Sequence, residues 1–283
     1  MANLSEIKAE MSAINDITKI TYAMQLVATA KLKKYGKQIV DTQQFVQEVY
    51  RVFNEIIQQT TDSPFLADPK KPIKKTLWIV INSNLGLCGG YNVNLNKVVF
   101  PQLKPNDEVF AIGQKAINFY KNKDVKIHNQ RTDLEGNLEP SVINEVGHEV
   151  LDYYTSGEFD EIKLGYTKFV NNVTFTPQVI TLFPISKQEE KETTFNREVQ
   201  FEPSAKVILD TTVNLYINTI LYGTLVESQV SEQASRRLAM ENATNNGEEL
   251  VNKLHIQHNR QRQAAITQEI NEIVSGANAQ TNN

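Results

Sequence analysis

Residues 7–56 of this chain read IKAEMSAINDITKITYAMQLVATAKLKKYGKQIVDTQQFVQEVYRVFNEI. Apolar or small side chains recur here at mixed three- and four-residue steps, at Ile7, Met11, Ile14, Ile17, Thr21, Met24, Ala28, Leu32, Tyr35, Ile39, Thr42, Val46, Val49, Phe53 and Ile56. A period near 3.5 residues is the seam of a coiled coil. Because an α-helix rises 1.5 Å per residue, a helix of ~50 residues is roughly 75 Å long. The stretch therefore predicts one long helix that needs a partner helix.

The positions of the prolines support this prediction. All nine prolines lie between Pro64 and Pro203, which leaves two proline-free arms, residues 1–63 and 204–283. Proline removes a backbone donor and clashes in a helix interior, so its absence permits long uninterrupted helices. Ser204 stands at the start of the second arm, where a serine can cap the first free N–H groups of a helix.

The second arm carries a longer and less regular seam. Its members are Val207, Ile208, Val213, Tyr216, Ile217, Ile220, Leu221, Leu225, Val230, Ala234, Leu238, Met240, Ala243, Leu250, Val251, Leu254, Ala265, Ile266, Ile270 and Ile273. Gly223 and Gly247 each weaken a helix by ~1 kcal/mol relative to alanine without ending it. We expect a local break or bend at 244–247, a stop at Gly276 and a frayed polar tail over 277–283. Two long helices at opposite ends of one chain would most simply pair with each other, antiparallel.

Between the arms the pattern changes to alternating strands and helices. The predicted strands are residues 76–82, 107–112, 161–170 and 173–184, and the predicted helices are residues 91–103, 114–122 and 141–156. Continuous apolar runs such as 76–82 are typical of buried parallel strands. Residues 64–203 are therefore predicted to form a Rossmann-like α/β domain with a largely parallel sheet, inserted between the two arms. The charged connector 187–200 fits either an exposed hairpin or a mobile link.

Composition excludes several classes of protein. The chain has 283 residues and a formal charge of −4, which argues against a dedicated nucleic-acid binder. Its single cysteine, Cys88, excludes an intramolecular disulfide framework and fits a reducing compartment. Nothing resembles a signal peptide, a transit peptide or an apolar run of ~18 residues, so we expect a soluble cytosolic protein. A basic cluster at residues 31–37 is either a solvated helix face or a surface for an acidic partner.

The loop with the strongest chemical suggestion is Ser83–Asn92, SNLGLCGGYN, directly after the first predicted strand. Glycines permit close backbone approach to a phosphate, but the loop matches neither GxGxxG nor the P-loop pattern. We interpret it as a structural turn or subunit-contact loop rather than a nucleotide site. Cys88 has no His/Asp partner by motif, and His255 and His258 lack a third metal ligand. No catalytic, cofactor or metal site is predicted, and the chain is not expected to be an enzyme.

A more specific pattern lies near the C-terminus. Residues 266–279, ITQEINEIVSGANA, resemble the C-terminal signature of the γ subunits of F-type ATP synthases, I/V-T-x-E-x2-D/E-x3-G-A-x-S/A/K/R. Three further segments are similar to the same family, namely 24–32 (MQLVATAKL), 83–92 and 231–246 (SEQASRRLAMENATNN). The resemblance runs in order from the first helix to the tail.

The resemblance implies the central-stalk rotor of an F-type ATP synthase. In that family the terminal helices form an antiparallel coiled coil inside an α3β3 hexamer, and the α/β foot domain contacts the ε subunit and the membrane c-ring. Rotation couples transmembrane flow of protons, or another ion, to ATP synthesis or hydrolysis on the β subunits, so the chain itself is non-catalytic and needs no cofactor. The resemblance further implies a peripheral, indirect membrane association at the cytoplasmic face of a bacterial cell membrane.

The resemblance also implies which residues contact partners. The implied residues are Arg236, Gln263, Thr267 and Glu269 as polar contacts with β-subunit loops, Met24 and Lys31 where the coil meets the hexamer, and Ile266, Ile270, Ile273 and Val274 as an apolar tip.

The sequence departs from the family pattern at a few positions, and other functions stay open. Gln25 replaces a lysine, Asn84-Leu85 replaces Asp-Arg, and Arg237 replaces a methionine. These departures leave open a γ-like shaft of an F1-like ATPase motor that is not coupled to ion transport. A coiled-coil adaptor predicts no association with α or β subunits, and a nucleotide-dependent enzyme predicts ligand binding by the isolated chain.

Overall fold

The computed structural model describes residues 4–60, 63–68, 72–136, 138–186, 202 and 204–281. The helices are α1 (Leu4–Gln59), α2 (Tyr91–Val99, followed by a 3-10 turn at Phe100–Gln102), α3 (Gln114–Lys121), α4 (Pro140–Thr155) and α5 (Ala205–Thr281). The strands are β1 (Thr76–Ile81), β2 (Glu108–Ile112), β3 (Ile127–Arg131), β4 (Glu161–Phe169) and β5 (Phe175–Phe183). The chain divides into two compact units, the first made of Met1–Ala28 and Arg237–Asn283, the second of Thr29–Arg236.

In the first unit the start of α1 packs antiparallel against the last part of α5. The hydroxyls of Thr21 and Thr244 are hydrogen-bonded at 2.8 Å. Three residues earlier on α1, Thr18 lies against Gly247, three residues later on α5, where an added Cβ would come 2.3 Å from the Thr18 Oγ1. Opposite chain directions are therefore paired, as the sequence predicted.

The second unit contains its own stretch of the antiparallel pair. Phe53 stacks on Tyr216 with ring centroids 4.1 Å apart. Ten residues earlier on α1, the Gln43 Nε2 donates to the Glu227 Oε1 at 3.0 Å, farther along α5. The two helices thus run antiparallel here as well.

The predicted α1 seam is correct except at one position. Ile17 is 59% exposed, whereas the neighbouring Thr18 is half-buried. The inward stripe steps from Ile14 to Thr18 to Thr21, so a four-residue step comes where the prediction used a three-residue step. Every other predicted seam residue of α1 is buried or half-buried.

The predicted α5 seam fails at both ends and at one internal position. The exposed members are Val207, Leu250, Ile266, Ile270 and Ile273. Continuing the pairing of Thr18 with Gly247, the first helical residue of α1, Leu4, falls opposite Gln261. Beyond Gln261, α5 therefore has no α1 residue of the described chain to pack against, and its apolar side chains stay exposed.

Two predicted interruptions of α5 are wrong. The helix is continuous from Ala205 to Thr281, through both the expected break at 244–247 and the expected stop at Gly276. Thr244 is buried against Thr21, and the missing side chain of Gly247 admits Thr18. These small and polar residues therefore serve close helix packing rather than a turn. The connector 187–200 lies outside the described residues.

The five strands form one sheet in the order β3-β2-β1-β4-β5. β1 pairs in parallel with β2 and β4, β2 pairs in parallel with β3, and β5 is antiparallel to β4. The predicted, largely parallel sheet is thus confirmed. β3 was not predicted, because its sequence IHNQR has a single apolar residue and lies at the sheet edge, where little of it is buried.

The sheet is covered on both faces, and one cover is α5 itself. Alternate residues of β1 point to opposite faces, with Leu77, Ile79 and Ile81 in one buried cluster and Trp78 and Val80 in another. The first cluster is completed by residues of α4 and α5, including Val146, Val150, Ile217 and Leu221. The second is completed by residues of α2 and α3, including Leu95, Val99, Ala116 and Tyr120. Phe53 and Ile57 of α1 belong to the first cluster as well, so the α/β domain is built directly on both long helices.

Candidate functional site

The glycine-containing loop predicted from sequence is docked on α5 by a buried arginine. Arg236 is only 7% exposed, and its Nη1 lies 2.6 Å from the Glu232 Oε1. Its Nη2 donates to the backbone carbonyl oxygens of Leu85 and Gly86, each at 3.4 Å. Arg236 therefore bridges one turn of α5 to the tip of the loop, within the same chain.

The electrostatics of this ion pair follow from its burial. Burial raises the pKa of the Glu232 carboxyl, and the positive charges of Arg236 and Lys31 oppose the shift. Breaking a buried pair by removing one partner costs about 3–5 kcal/mol, because an uncompensated charge is left behind. The spacing of Glu232 and Arg236, four residues apart on a helix, was the sequence signal that could have revealed the pair.

A second bond from α5 holds the other side of the loop. The Ser235 Oγ donates to the Cys88 carbonyl oxygen at 2.6 Å. The Cys88 thiol is buried, and the Asn92 Nδ2 donates to its sulfur at 3.2 Å and to the Ser83 Oγ at 2.8 Å. Burial raises the pKa of the Cys88 thiol, so the unreactive protonated form is favoured near neutral pH.

The start of the loop is fixed by Asn84, one of the departures from the family pattern. Its Oδ1 accepts from the Gln114 N–H at 3.0 Å, while its Nδ2 donates at 2.8 Å to the Thr132 carbonyl oxygen and to the Glu135 carboxylate. An ionised aspartate could only accept hydrogen bonds at this position. Asparagine is therefore favoured over aspartate at position 84, because its side chain both donates and accepts hydrogen bonds there.

The predicted contact residues on the last turns of α5 are all exposed. Ile266, Ile270, Ile273 and Val274 are 48%, 53%, 71% and 52% exposed, and their spacing places them on one helix face. The polar candidates on this segment, Gln263, Thr267 and Glu269, are exposed too.

Met24 and Lys31 are half-buried on α1. The predicted contact residues do not form one cluster: Arg236 and Lys31 belong to the second unit, and the others to the first.

Sequence reasoning overlooked a set of exposed apolar residues on the first part of α1. Its members, each more than half exposed, are Ile17, Ile20, Tyr22, Leu26 and Val27. Isolated exposed apolar residues are ordinary, but five within 11 residues are a candidate partner surface. The signal was apolar residues in excess of those that one coiled-coil seam requires.

Three possible metal ligands lie close together near the starts of β2, β3 and β4. Ligand atoms of Glu108, His128 and Glu158 lie within 4.8 Å of one another. The Nζ atoms of Lys75 and Lys126 lie 2.9 and 2.7 Å from the Glu108 Oε1. Burial tends to raise the pKa of Glu108, but hydrogen bonds from Lys126, Lys75 and His128 lower it to about 2. The ammonium groups of Lys75 and Lys126 thus neutralise the negative charge of Glu108, and a metal ion is not needed for this.

Comparison with known proteins defines the class. A family model described as "ATP synthase" matches residues 3–280. The chain is 57% identical to the ATP synthase gamma chain of Mesoplasma florum over 99% of both chains, and 56% identical to that of Mycoplasma capricolum over 98% of this chain and 99% of the relative. It is 37% identical to the ATP synthase gamma chain of Mycoplasmopsis pulmonis, over 98% and 99%.

Solved structures show the same fold. The chain superposes with a TM-score of 0.71 on one from the mitochondrial ATP synthase of Euglena gracilis (OSCP/F1/c-ring), at 16% identity, covering 98% of this chain and 94% of that one. A chain from the Tetrahymena thermophila mitochondrial ATP synthase (central stalk/c-ring) gives 0.58 at 21% identity, covering 79% and 99%.

These matches, together with two long paired helices around a mixed sheet, define a subunit of a rotary ATP synthase. The chain belongs to the ATP synthase γ-chain family, the non-catalytic central-stalk rotor of that complex. In the part of the chain that the structure describes, none of the helices has the length and apolar character that a membrane crossing requires.

Proposed function

We propose that this chain couples rotation, driven by transmembrane flow of protons or another ion, to ATP synthesis or hydrolysis in an α3β3 hexamer. The observation that carries the proposal is identity of 57% to an ATP synthase gamma chain along 99% of both chains. The catalytic sites lie on the β subunits. A rotating asymmetric shaft biases each β subunit in turn, because each conformation of β contacts a different side of it.

The exposed end of α5 supports insertion into a protein cavity. Burying one large aliphatic side chain contributes about 1.5–3 kcal/mol, so a row of four exposed ones is a strong reason for a partner. We propose that the apolar tip Ile266, Ile270, Ile273 and Val274 is covered by the hexamer, and that Gln263, Thr267, Glu269, Met24 and Lys31 contact it through polar or mixed surfaces.

The remaining partners are proposed from the family. The foot domain contacts the ε subunit and the c-ring, so that the chain associates with the cytoplasmic face of a bacterial cell membrane without entering it. The division into a coiled-coil shaft (1–63 and 204–283) and a foot domain (64–203) stays a prediction.

Native mass spectrometry of the complex recovered with an affinity-tagged version of this chain tests the proposal. We expect α and β subunits together with ε and c. Recovery of α- and β-type subunits without ε, c or stator partners would point instead to an F1-like motor without ion transport. Absence of both α and β would overturn the rotor function and favour an adaptor.

A further inference from the structure

The backbone of loop 83–91 is held from α5 at three carbonyl groups. Arg236 donates to the carbonyl oxygens of Leu85 and Gly86, and Ser235 donates to that of Cys88. Both donors come from adjacent residues of one helical turn and are buried. The loop is thus docked on α5 through its backbone.

From these contacts we infer that Arg236 is a positioning residue that locks loop 83–91 to α5. With Glu232 and Ser235, it makes the loop move with the helix as one body when a partner pushes on the loop. This inference rests on the proposed rotor function, since only a loaded shaft needs such a lock. The role differs from a direct contact with β-subunit loops, for which little of the Arg236 surface is available.

The guanidinium group is suited to this task. It is planar and always charged, and its five donors can serve a carboxylate on one side and carbonyl oxygens on another. Glu232 occupies one side at 2.6 Å and thereby orients the group toward the loop. A lysine ammonium is a single point of charge and cannot reproduce this geometry.

The loop that is held in this way presents two large apolar side chains to its surroundings. Leu85 and Leu87 are 64% and 62% exposed. Leu87 has φ of 62°, in the left-handed region that a leucine rarely adopts. Residues keep such a conformation where the surrounding structure determines it, and the bonds to Leu85, Gly86 and Cys88 surround this position.

The lock is tested in purified ATP synthase that carries variant chains. The double variant Glu232→Leu/Arg236→Met removes both charges together, which avoids leaving one buried and unpaired. Ser235→Ala removes the second bond to the loop without changing any charge. Arg237→Lys is the control, because Arg237 forms a more exposed pair with Glu241, also four residues apart.

Two measurements separate positioning from general stability. Amide hydrogen exchange of residues 83–91 in the double variant should rise about tenfold, equivalent to about 1.4 kcal/mol of local stability. Ions transported per ATP hydrolysed should fall while ATP hydrolysis itself persists. Ser235→Ala should likewise raise loop exchange and lower the transport ratio. The variant Arg236→Lys should show both changes too, because lysine cannot replace the guanidinium contacts. The control Arg237→Lys should match the wild-type chain in both measurements.

Unchanged exchange of the loop in both the double variant and Ser235→Ala would overturn the lock. Faster exchange with an unchanged transport ratio would overturn its role in coupling. If the double variant fails to assemble, the same two measurements on Ser235→Ala test the lock and its role in coupling. A wild-type chain that recovers no α or β subunits would instead count against the proposed function, independently of loop exchange.

Discussion

At the scale of single residues, buried carboxyl groups on α5 are the most informative side chains. Glu227 receives a hydrogen bond from Gln43 at 3.0 Å, across the helix pair. Burial raises its pKa above the ordinary value of 4.5, although the bond from Gln43 and the charge of Lys168 oppose the shift. An acid that holds its proton more tightly in the folded chain than in the unfolded one favours folding at low pH.

Glu227→Gln should therefore change how stability depends on pH. As pH rises through the unfolded and then the folded pKa of Glu227, the wild-type chain loses stability from this group, because the unfolded state releases its proton first. Glutamine stays neutral, so the unfolding free energy of the variant should rise relative to that of the wild type as pH increases from about 4.5 through the raised folded-state pKa of Glu227. Urea unfolding of the chain across this range measures the difference.

The control for this prediction is Glu248→Gln, on an exposed position of α5. Its unfolding free energy should run parallel to that of the wild-type chain. Parallel behaviour of Glu227→Gln as well would contradict the assigned effect of burial.

At the scale of elements, glycines distinguish close helix packing from free helix surface. Gly223 is buried on α5, where an added Cβ would come 2.7 Å from the Val46 Cγ2 on α1. Gly36 lies on α1 with nothing within 4 Å of an added Cβ. The two positions have the same helical backbone but opposite surroundings.

Alanine should therefore have opposite effects at the two glycines. Gly36→Ala should stabilise the chain by about 0.5–1 kcal/mol, through reduced backbone entropy of the unfolded state. Gly223→Ala should destabilise it by about 1–3 kcal/mol, because the stiff Val46 side chain must move or the helices must separate. Denaturant midpoints at an unchanged m-value provide the comparison, and stabilisation by both changes would show that the helices are less closely packed than described.

At the scale of the whole molecule, we expect the exposed end of α5 to matter for assembly with other subunits and not for the stability of the folded chain. Ile270→Asp/Ile273→Asp alters side chains that touch little of the described chain, so urea unfolding should change by no more than about 0.5 kcal/mol. Recovery of α and β subunits with the tagged chain should fall sharply, since two charges then enter an apolar contact.

The matched control adds the same two charges on another face of the same turns. Asn271→Asp/Ser275→Asp should leave both stability and subunit recovery close to wild type. Equal loss of recovery in both double variants would show that charge alone, rather than the apolar stripe, governs assembly.

The sequence determined the two long helices, their antiparallel pairing and the parallel sheet, because these depend on periodicity and on the distribution of proline. The sequence also revealed the family resemblance, because the four motifs and their order can be read without any knowledge of tertiary contacts. It could not predict β3, because an edge strand such as IHNQR buries too little to require an apolar pattern.

The roles of the polar and small residues of the long helices depend on tertiary contacts that the sequence does not reveal. Thr244 and Gly247 resemble a helix break in sequence, yet they pack against Thr21 and Thr18. Arg236 matches a motif that implied a contact with another subunit, yet its donors are directed to Glu232 and to the loop of its own chain. A periodic pattern reports which side of a helix is buried, whereas the partner of a buried polar group depends on which distant segment lies beside it.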